Sequence, residues 1–467
     1  MKMGEIPHGM GLRANPAGGE QAMRIAVVGA GVAGLGSAWL LSRQHNVTLF
    51  EAGSYLGGHA NTVDVTLDGV THPVDTGFLV FNRRTYPNLC GLFRELGVPV
   101  AKSEMSFAVS LKEPHIEWAG TDLLSLFAQR SNLGRSAFWG MLSDIFRFNR
   151  ETTLLAREHA APDISLGEYL DRHNYGEAFR YWYLVPMAAA IWSCPTQQML
   201  AYPVSTFLRF CHNHGLLQIF DRPLWMTVEG GSRAYVQRIA ASLPDVRLSS
   251  PVLNVERSAG GVSVVSRHGT ERFDAIIFAC HSDQALRILD GQASQLERAV
   301  LGAINYQHNR AVLHTDTRLL PRRERVWAAW NYMAGEGAAD RRPVSVSYLL
   351  NRLQPTPFKT PLVLSLNPFE EPVADKLIRS FEYEHPVFDQ AAIDAQAHLP
   401  MLQGRNRTWF CGAWTGYGFH EDGLKSAMDV AAMMGVVAPW RARRLALAST
   451  GHVADAQEIA GLQEMSA

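Results

Sequence analysis

Near the carboxyl end three titratable side chains stand in a row, His420, Glu421 and Asp422 in GYGFHEDGLKSAMDVA, with the aromatics Trp414, Tyr417 and Phe419 close by. Residues of these types bind metals or move protons, and acids also favour the first turn of a helix. Three readings follow: a metal site, an acid/base centre, or a helix start whose N–H groups hold something bound elsewhere. Consecutive helical residues point about 100° apart, so three in a row cannot converge on one ion. The metal reading falls. His420 and Glu421 stay as acid/base candidates, and Glu421 and Asp422 also suit a first helical turn. His212 and His214 in FCHNHGLLQ stand two apart, too few for a metal without partners, and read as structural histidines. The cysteines Cys90, Cys194, Cys211, Cys280 and Cys411 contain no Cys-x-x-Cys pair, which excludes a disulfide framework and a cysteine metal site. No metal is expected.

Chemistry at that loop needs an element to position what it acts on, and the amino-terminal stretch RIAVVGAGVAGLGSAWLLSRQHNVTLFEA supplies one. Ile25–Val28 reads as a short apolar strand and Ala33–Ser42 as an apolar-striped helix. Val47–Phe50 reads as a second strand ending at Glu51 and Ala52. Between strand and helix, Gly29, Gly31 and Gly34 spell G-x-G-x-x-G, with Val32 and Ala33 inside the loop. Gly29 allows the tight turn, Gly31 lets backbone approach a pyrophosphate, and Gly34 allows close helix–strand packing. The helix amino terminus faces the phosphates, and Glu51 is placed to accept hydrogen bonds from ribose hydroxyls. This is a dinucleotide-binding unit.

The 467 residues exceed what one core usually serves, so more than one subdomain is expected. A formal net charge of −1 without a basic block excludes nucleic acid as a partner. Residues 1–22 read as a flexible leader without the apolar stretch of a secretory signal, and 441–467 as a tail. No apolar run reaches the roughly 18–20 residues of a spanning helix. Tyr181–Pro195 reads as a buried core segment. Ser136–Arg150 reads as an amphipathic helix, with Phe138, Met141, Leu142, Ile145 and Phe148 at three–four spacing. Packing inside the protein is the default for that helix and docking on lipid the alternative. A cytoplasmic location is expected, with peripheral contact at the inner face of the membrane as the alternative.

After Glu51 the chain reads EAGSYLGGHANTV, and the added pair Gly57–Gly58 goes beyond a simple nicotinamide fingerprint. Here the sequence resembles the flavin amine oxidase and phytoene desaturase superfamily, whose first segment runs G-x-G-x-x-G-L, E-A, G-G-R. His59 stands where that arginine is usual. WMTVEGGSRAYVQRIA resembles the internal Gly-Gly segment, and VRLSSPVLNVERSAGGVSVVSRHGTERFDAIIFAC the strand-rich return to the cofactor domain. RTWFCGAWTGYGFHEDGLKSAMDVAAMM resembles the last motif, a strand into Gly-Ala, a loop and a helix. The resemblance implies an α/β fold: a Rossmann-like FAD-binding domain built from discontinuous segments (23–89, 223–285, 401–440), with an α+β substrate domain from 90–222 and 286–400. It implies FAD, held by Gly57, Gly58, His59, Val252 through its backbone, Gly412, Ala413, Gly418, Phe419 and His420 as well as by the glycine loop. Trp414, Tyr417 and Phe419 would wall the substrate side. His385 in YEHPVF falls near where the family brings a residue to the flavin, and no cysteine stands there, so non-covalent FAD is implied.

More closely, DTGFLVFNRRTYPNL, MSFAVS, AAIWSCP, NHGLLQ, GGSRAYV, EHPVF and GFHEDG resemble markers of a bacterial NAD/FAD-binding subgroup linked to fatty acyl modification, including desaturation on the way to furan fatty acids. The insertions are rich in large aromatics, which suits a hydrophobic small molecule or phospholipid acyl chain beside the flavin. The expected reaction is desaturation, with hydride passing to flavin N5 and a proton to His420, His385 or Glu421. The alternatives are an amine oxidase releasing peroxide, a double-bond isomerase, and a non-catalytic dinucleotide-binding protein.

Overall fold

The computed structural model describes residues 22–158, 161–192, 196–213, 215, 223–339 and 341–449. The leader up to residue 21, Cys194, His214, part of the NHGLLQ marker and the end of the tail lie outside the described residues.

The run RIAVV forms a strand, Arg24–Val28, at the centre of a five-stranded parallel sheet. Its neighbours are Asn46–Phe50 on one side and Ala275–Phe278 on the other, in register Val28 to Phe50 and Val28 to Phe278. Asp245–Arg247 and Thr408–Phe410 close the two edges. Central strands of a parallel sheet are covered on both faces, which is why Ile25, Ala26 and Val27 read as continuous apolar sequence rather than an alternation. Segments far apart along the chain thus share one sheet, and the fold is α/β.

The helix after the glycine loop runs Val32–Leu41, and all its residues are buried. It packs beside the last-motif helix, His420–Met433. A Cβ at Gly36 would lie 2.8 Å from Leu424 Cδ1, and one at Gly423 would lie 2.8 Å from Val32 Cγ1. Small residues on both helices therefore bring their amino termini together. Gly34 works against the loop instead: a Cβ there would sit 1.8 Å from the Gly29 carbonyl oxygen.

The other half centres on a seven-stranded mixed sheet in the order Leu377–Val387, Asn305–His314, Val363–Leu366, Val344–Leu349, Trp330–Ala334, Phe107–Leu111, Ile116–Ala119. A helical layer including Ser136–Arg157, Val185–Trp192 and Val204–Asn213 belongs to this half. Within Tyr181–Pro195, Leu184, Val185, Ala188, Ala189 and Ala190 are buried, and 193–195 lie outside the described residues. Along Ser136–Arg157, Phe138, Met141 and Phe148 face inward as the three–four spacing predicts, whereas Trp139 and Phe146 are left exposed.

A buried carboxylate joins the halves. Asp75, at the end of the hairpin Thr62–Leu67/Val70–Asp75, accepts from the Ser232 backbone N–H (2.8 Å), the Ser232 hydroxyl (2.7 Å) and the Thr62 hydroxyl (2.5 Å). Its own backbone exchanges two hydrogen bonds with the Gln354 amide, at 2.9 and 3.0 Å. Burial pushes the Asp75 carboxyl up to about 6, and the converging donors oppose that rise. The Gly-Gly-Ser segment therefore anchors this link.

Candidate functional site

A cavity of about 760 Å³ runs between the halves. One arm starts at the carboxyl ends of the central parallel strands, where ligands bind in open α/β sheets. Gly29 makes its turn with φ +99°, and Gly31 caps the helix without any side chain bonded to the first-turn N–H groups. A Cβ at Gly31 would meet nothing within 4 Å, so open space lies beside the exposed helix end. Gly57 and Gly58 wall the same space: Gly57 N–H donates to the Ala30 carbonyl at 2.8 Å, and Gly57 bridges to Gly31. Glu51 accepts from the backbone N–H groups of Ala30 (2.8 Å) and Gly53 (2.7 Å), which fixes its carboxylate on the cavity wall. Val252 lines the arm nearby, beside Pro251 and Ser250, whose N–H donates to the Glu51 carbonyl at 2.8 Å. Open space at a glycine, an uncapped helix terminus and a fixed acid fit the pyrophosphate and ribose of a bound FAD.

The second helix terminus closes the opposite side. His420–Met433 begins after Phe419, whose N–H donates to the Asp422 carboxylate at 3.0 Å, and burial pushes that carboxyl up to about 6. Gly412, Ala413, Gly418, Phe419 and His420 all line the cavity. The His420 ring stacks on Phe78, with centroids 3.8 Å apart, and its buried Nε2 has no hydrogen-bond partner. Burial drops the His420 pKa to about 3, so the ring is neutral. His385, in the strand Leu377–Val387, has Nδ1 2.8 Å from the Asn309 side-chain amide, and burial lowers its pKa to about 4. His59 lies beside His385, its ring 5.1 Å away, and stacks on Tyr383 at 5.0 Å, with Nε2 unpartnered. Burial first, then the neighbouring histidines, hold His59 well below its ordinary value.

The remaining arm is apolar. Met105, Ile191, Phe210, Trp225, Trp330 and Leu364 wall it, from strands and helices widely separated in the chain. Tyr417 and Phe419 complete it, their rings 5.9 and 5.1 Å from Phe210. The charged side chains on the cavity wall are Glu51, Arg287 and Glu384. Arg287 lies on the helix that follows the parallel strand Ala275–Phe278, and Glu384 faces His281 of that turn at 3.3 Å. No charged residue lines the apolar arm among the described residues.

Of the residues singled out in sequence, Gly29, Gly31, Val32, Ala33, Glu51, Ala52, Gly57, Gly58, His59, Val252, His385 and the last-motif residues meet at this cavity. Gly34 and Glu421 are placed otherwise. Gly34 packs helix against loop and does not reach the lining. Glu421 points away: its carboxylate accepts from the backbone N–H groups of Asn88 and Leu89, each at 2.9 Å, and from the Asn88 amide at 2.7 Å. Those are the orphan donors at the start of the helix Pro87–Leu96, so Glu421 caps a helix and is turned away from the chemistry. Trp414 is buried among the cofactor-sheet residues, its indole N–H donating to the Cys280 carbonyl at 3.2 Å. It also lines the cavity, next to the parallel-sheet residues. His212 lies on Val204–Asn213. Among the described residues no group of three His, Cys, Asp or Glu side chains is arranged to hold a metal ion.

Sequence reasoning missed Phe78, His281 and Tyr383. Phe78 sits in DTGFLVF, where its N–H donates to the His59 carbonyl at 2.7 Å. The glycine beside it was the available signal.

Comparison with known proteins gives the family and the fold. Residues 32–322 match the family described as flavin containing amine oxidoreductase. Carotenoid phi-ring synthase of Streptomyces griseus is 26% identical over 290 residues, 57% of this chain and 53% of that protein, so the chain spans about half the length of this curated relative. Among solved structures, a CLA-producing fatty acid isomerase from P. acnes superposes with a TM-score of 0.64 at 15% identity, covering 90% of this chain and 100% of the other. Cyclohexylamine oxidase from Brevibacterium oxydans IH-35A gives a TM-score of 0.60 at 14% identity, covering 89% and 100%. At these identities the two structures attest the fold.

Proposed function

Because the chain belongs to the family of flavin-containing amine oxidoreductases, with FAD as its cofactor, we propose that it is an oxidoreductase acting on a hydrophobic, fatty-acyl substrate, most simply a desaturase. The observation that carries this reading is the apolar arm, whose described lining holds no charged side chain while the charges gather at the cofactor arm. A long hydrocarbon gains about 0.8 kcal/mol for each buried CH₂, and such a wall supplies that without costing a buried charge its hydration. The supporting sequence features are the subgroup markers and the apolar insertions.

Bound FAD supplies a two-electron acceptor that takes a hydride equivalent at N5. The chain's residues hold and orient the substrate and handle the proton. Phe210, Tyr417 and Phe419 confine the acyl chain in this reading, and the helical layer excludes water. We assign the proton to His420: its ring is neutral, fixed by Phe78, and has an unpartnered nitrogen at the cavity. His385, oriented by Asn309, is the second candidate. We assign 23–89, 223–285 and 401–440 to the cofactor half, in line with the strands of the parallel sheet.

The test is anaerobic bleaching of the bound flavin by detergent-dispersed acyl lipids. It is paired with mass spectrometry of membrane lipids from cells with and without the protein. A two-hydrogen change in some acyl species is expected, and unchanged lipids with an unbleached flavin would sink the reading. An amine oxidase is the second reading, favoured by neutral aromatic pairs such as Trp330 and Tyr348, 4.9 Å apart edge to face. Peroxide released on adding amines, with acyl lipids inert, would select it. An acyl isomerase would shift double bonds at constant mass.

A further inference from the structure

Helix Ser136–Arg157 has apolar side chains on both faces. Phe138, Met141 and Phe148 face inward, whereas Trp139, Phe146 and Leu154 are 49, 62 and 54% exposed. Steps of seven and eight residues put these three on one line down the helix. The short helix Leu123–Leu126 adds Leu123 and Leu124, 74 and 65% exposed. Leu123, Leu124 and Phe146 are the most exposed large apolar side chains among the described residues. The groups join around Trp139, whose ring lies 5.5 Å from Phe127 and whose indole N–H donates to the Leu133 carbonyl at 2.9 Å. The indole is thus held in place at the surface.

Two basic side chains border these groups: Arg150 stands four residues from both Phe146 and Leu154 on the helix, and Arg130 falls between Phe127 and Leu133 in the chain. Arg130 and Arg150 are exposed. Most acids of these elements are hydrogen-bonded locally, Asp144 with Arg147 and the Gly176 N–H, Glu151 with the Tyr175 hydroxyl, and Asp122 with the Ser125 N–H, while Glu158 at the carboxyl end of the helix is exposed. A fixed tryptophan, leucines and phenylalanine flanked by free arginines complement an interface of acyl chains and anionic headgroups. The helix also packs on Val204–Asn213, which carries Phe210 into the apolar arm, so one layer separates this face from the cavity.

We propose that this face docks on a bilayer containing anionic phospholipid and sets the helical layer over the source of the acyl substrate. The proposal deepens the acyl-lipid reading and rests on it for the choice of partner. Among the described residues no helix is long and apolar enough to cross a membrane, so the contact is peripheral.

Co-sedimentation of the FAD-loaded protein with vesicles of phosphatidylcholine, with and without phosphatidylglycerol, tests it. Binding is expected to need phosphatidylglycerol and to weaken with salt. Trp139→Ser with Phe146→Ser should lower vesicle affinity about tenfold or more, and Arg130→Gln with Arg150→Gln should do so through the anionic lipid. Flavin content, melting temperature and flavin bleaching by detergent-dispersed lipid should stay unchanged in both variants. Absence of vesicle binding, binding indifferent to both variants, or loss of a solution dimer in the serine variant would overturn the proposal. If acyl lipids in detergent never bleach the flavin while the variants still lose vesicle binding, the substrate reading fails and the docking surface stands.

Discussion

Around Gly29–Gly34 the cavity wall is mostly backbone: a turn at positive φ, a helix end without a cap, and a second glycine pair laid against the first. Around Phe210, Trp330 and Leu364 the wall is side chain, contributed by a helix and two strands distant in sequence. In the backbone wall an added atom either strikes backbone, as a Cβ at Gly34 would strike the Gly29 carbonyl, or enters the cavity itself, as one at Gly31 would. Side-chain walls accept substitution and change what fits. In the proposed reading the first kind holds the cofactor's phosphates and the second sets which substrate fits.

The largest expected effect breaks the backbone wall. Gly34→Val would drive a Cβ into the Gly29 carbonyl, and we expect a loss of about 4 kcal/mol or more, read as failure to recover yellow, cooperatively melting protein. At the junction of the two arms, His420→Ala should retain the flavin absorbance while kcat falls about hundredfold or more, as for loss of an acid/base group. A variant with unchanged kcat would move the proton to His385. Gly418→Val adds strain at φ +92° and a contact of 3.0 Å with Phe388, costing about 2 kcal/mol and seen as weakened FAD retention on dilution. Glu421→Gln should cost about 1–3 kcal/mol in melting experiments with kcat unchanged, because its carboxylate caps a helix. On the side-chain wall, Phe210→Ala should raise KM for long acyl substrates about tenfold and leave flavin content intact.

A pH dependence separates the histidines from the rest. The folded-state values of His385 and His420, about 4 and about 3, lie below the ordinary 6.5, so below that pH the unfolded chain binds more protons than the folded one. Their contribution is complete above about 6.5 and is lost as the pH falls through their folded values, with a slope of up to about 1.4 kcal/mol per pH unit for each. Melting the FAD-loaded protein across that window should show the decline. Substituting both histidines by glutamine should make it shallower and leave the part that other buried histidines, His59 and His314, contribute.

Local chemistry made the dinucleotide unit legible. Gly29, Gly31 and Gly34 have one reason each to be glycine, and the strands beside them are short apolar runs whose boundaries the structure shifts by one residue. The same holds for the helix start at His420, where three consecutive polar residues cannot share one ligand. The partition of those residues was not legible. Glu421 and His420 are neighbours in sequence, yet one caps Pro87–Leu96 and the other faces the cavity, because a step of 100° around a helix sends them to different partners. Trp414 shares an aromatic-rich loop with Tyr417 and turns instead to the Cys280 carbonyl.

What the amino-acid sequence determined by itself is therefore whatever depends on backbone conformation and local spacing: the strand, glycine turn and helix of the amino-terminal unit, and the acid that ends the second strand; the α/β class came with the family resemblance. Tertiary structure alone decided which histidines meet, that Phe78 supports His420, and that the apolar arm is free of charge among the described residues. Those facts depend on long-range packing of separated segments, and residue type carries no information about which distant partner a side chain will face.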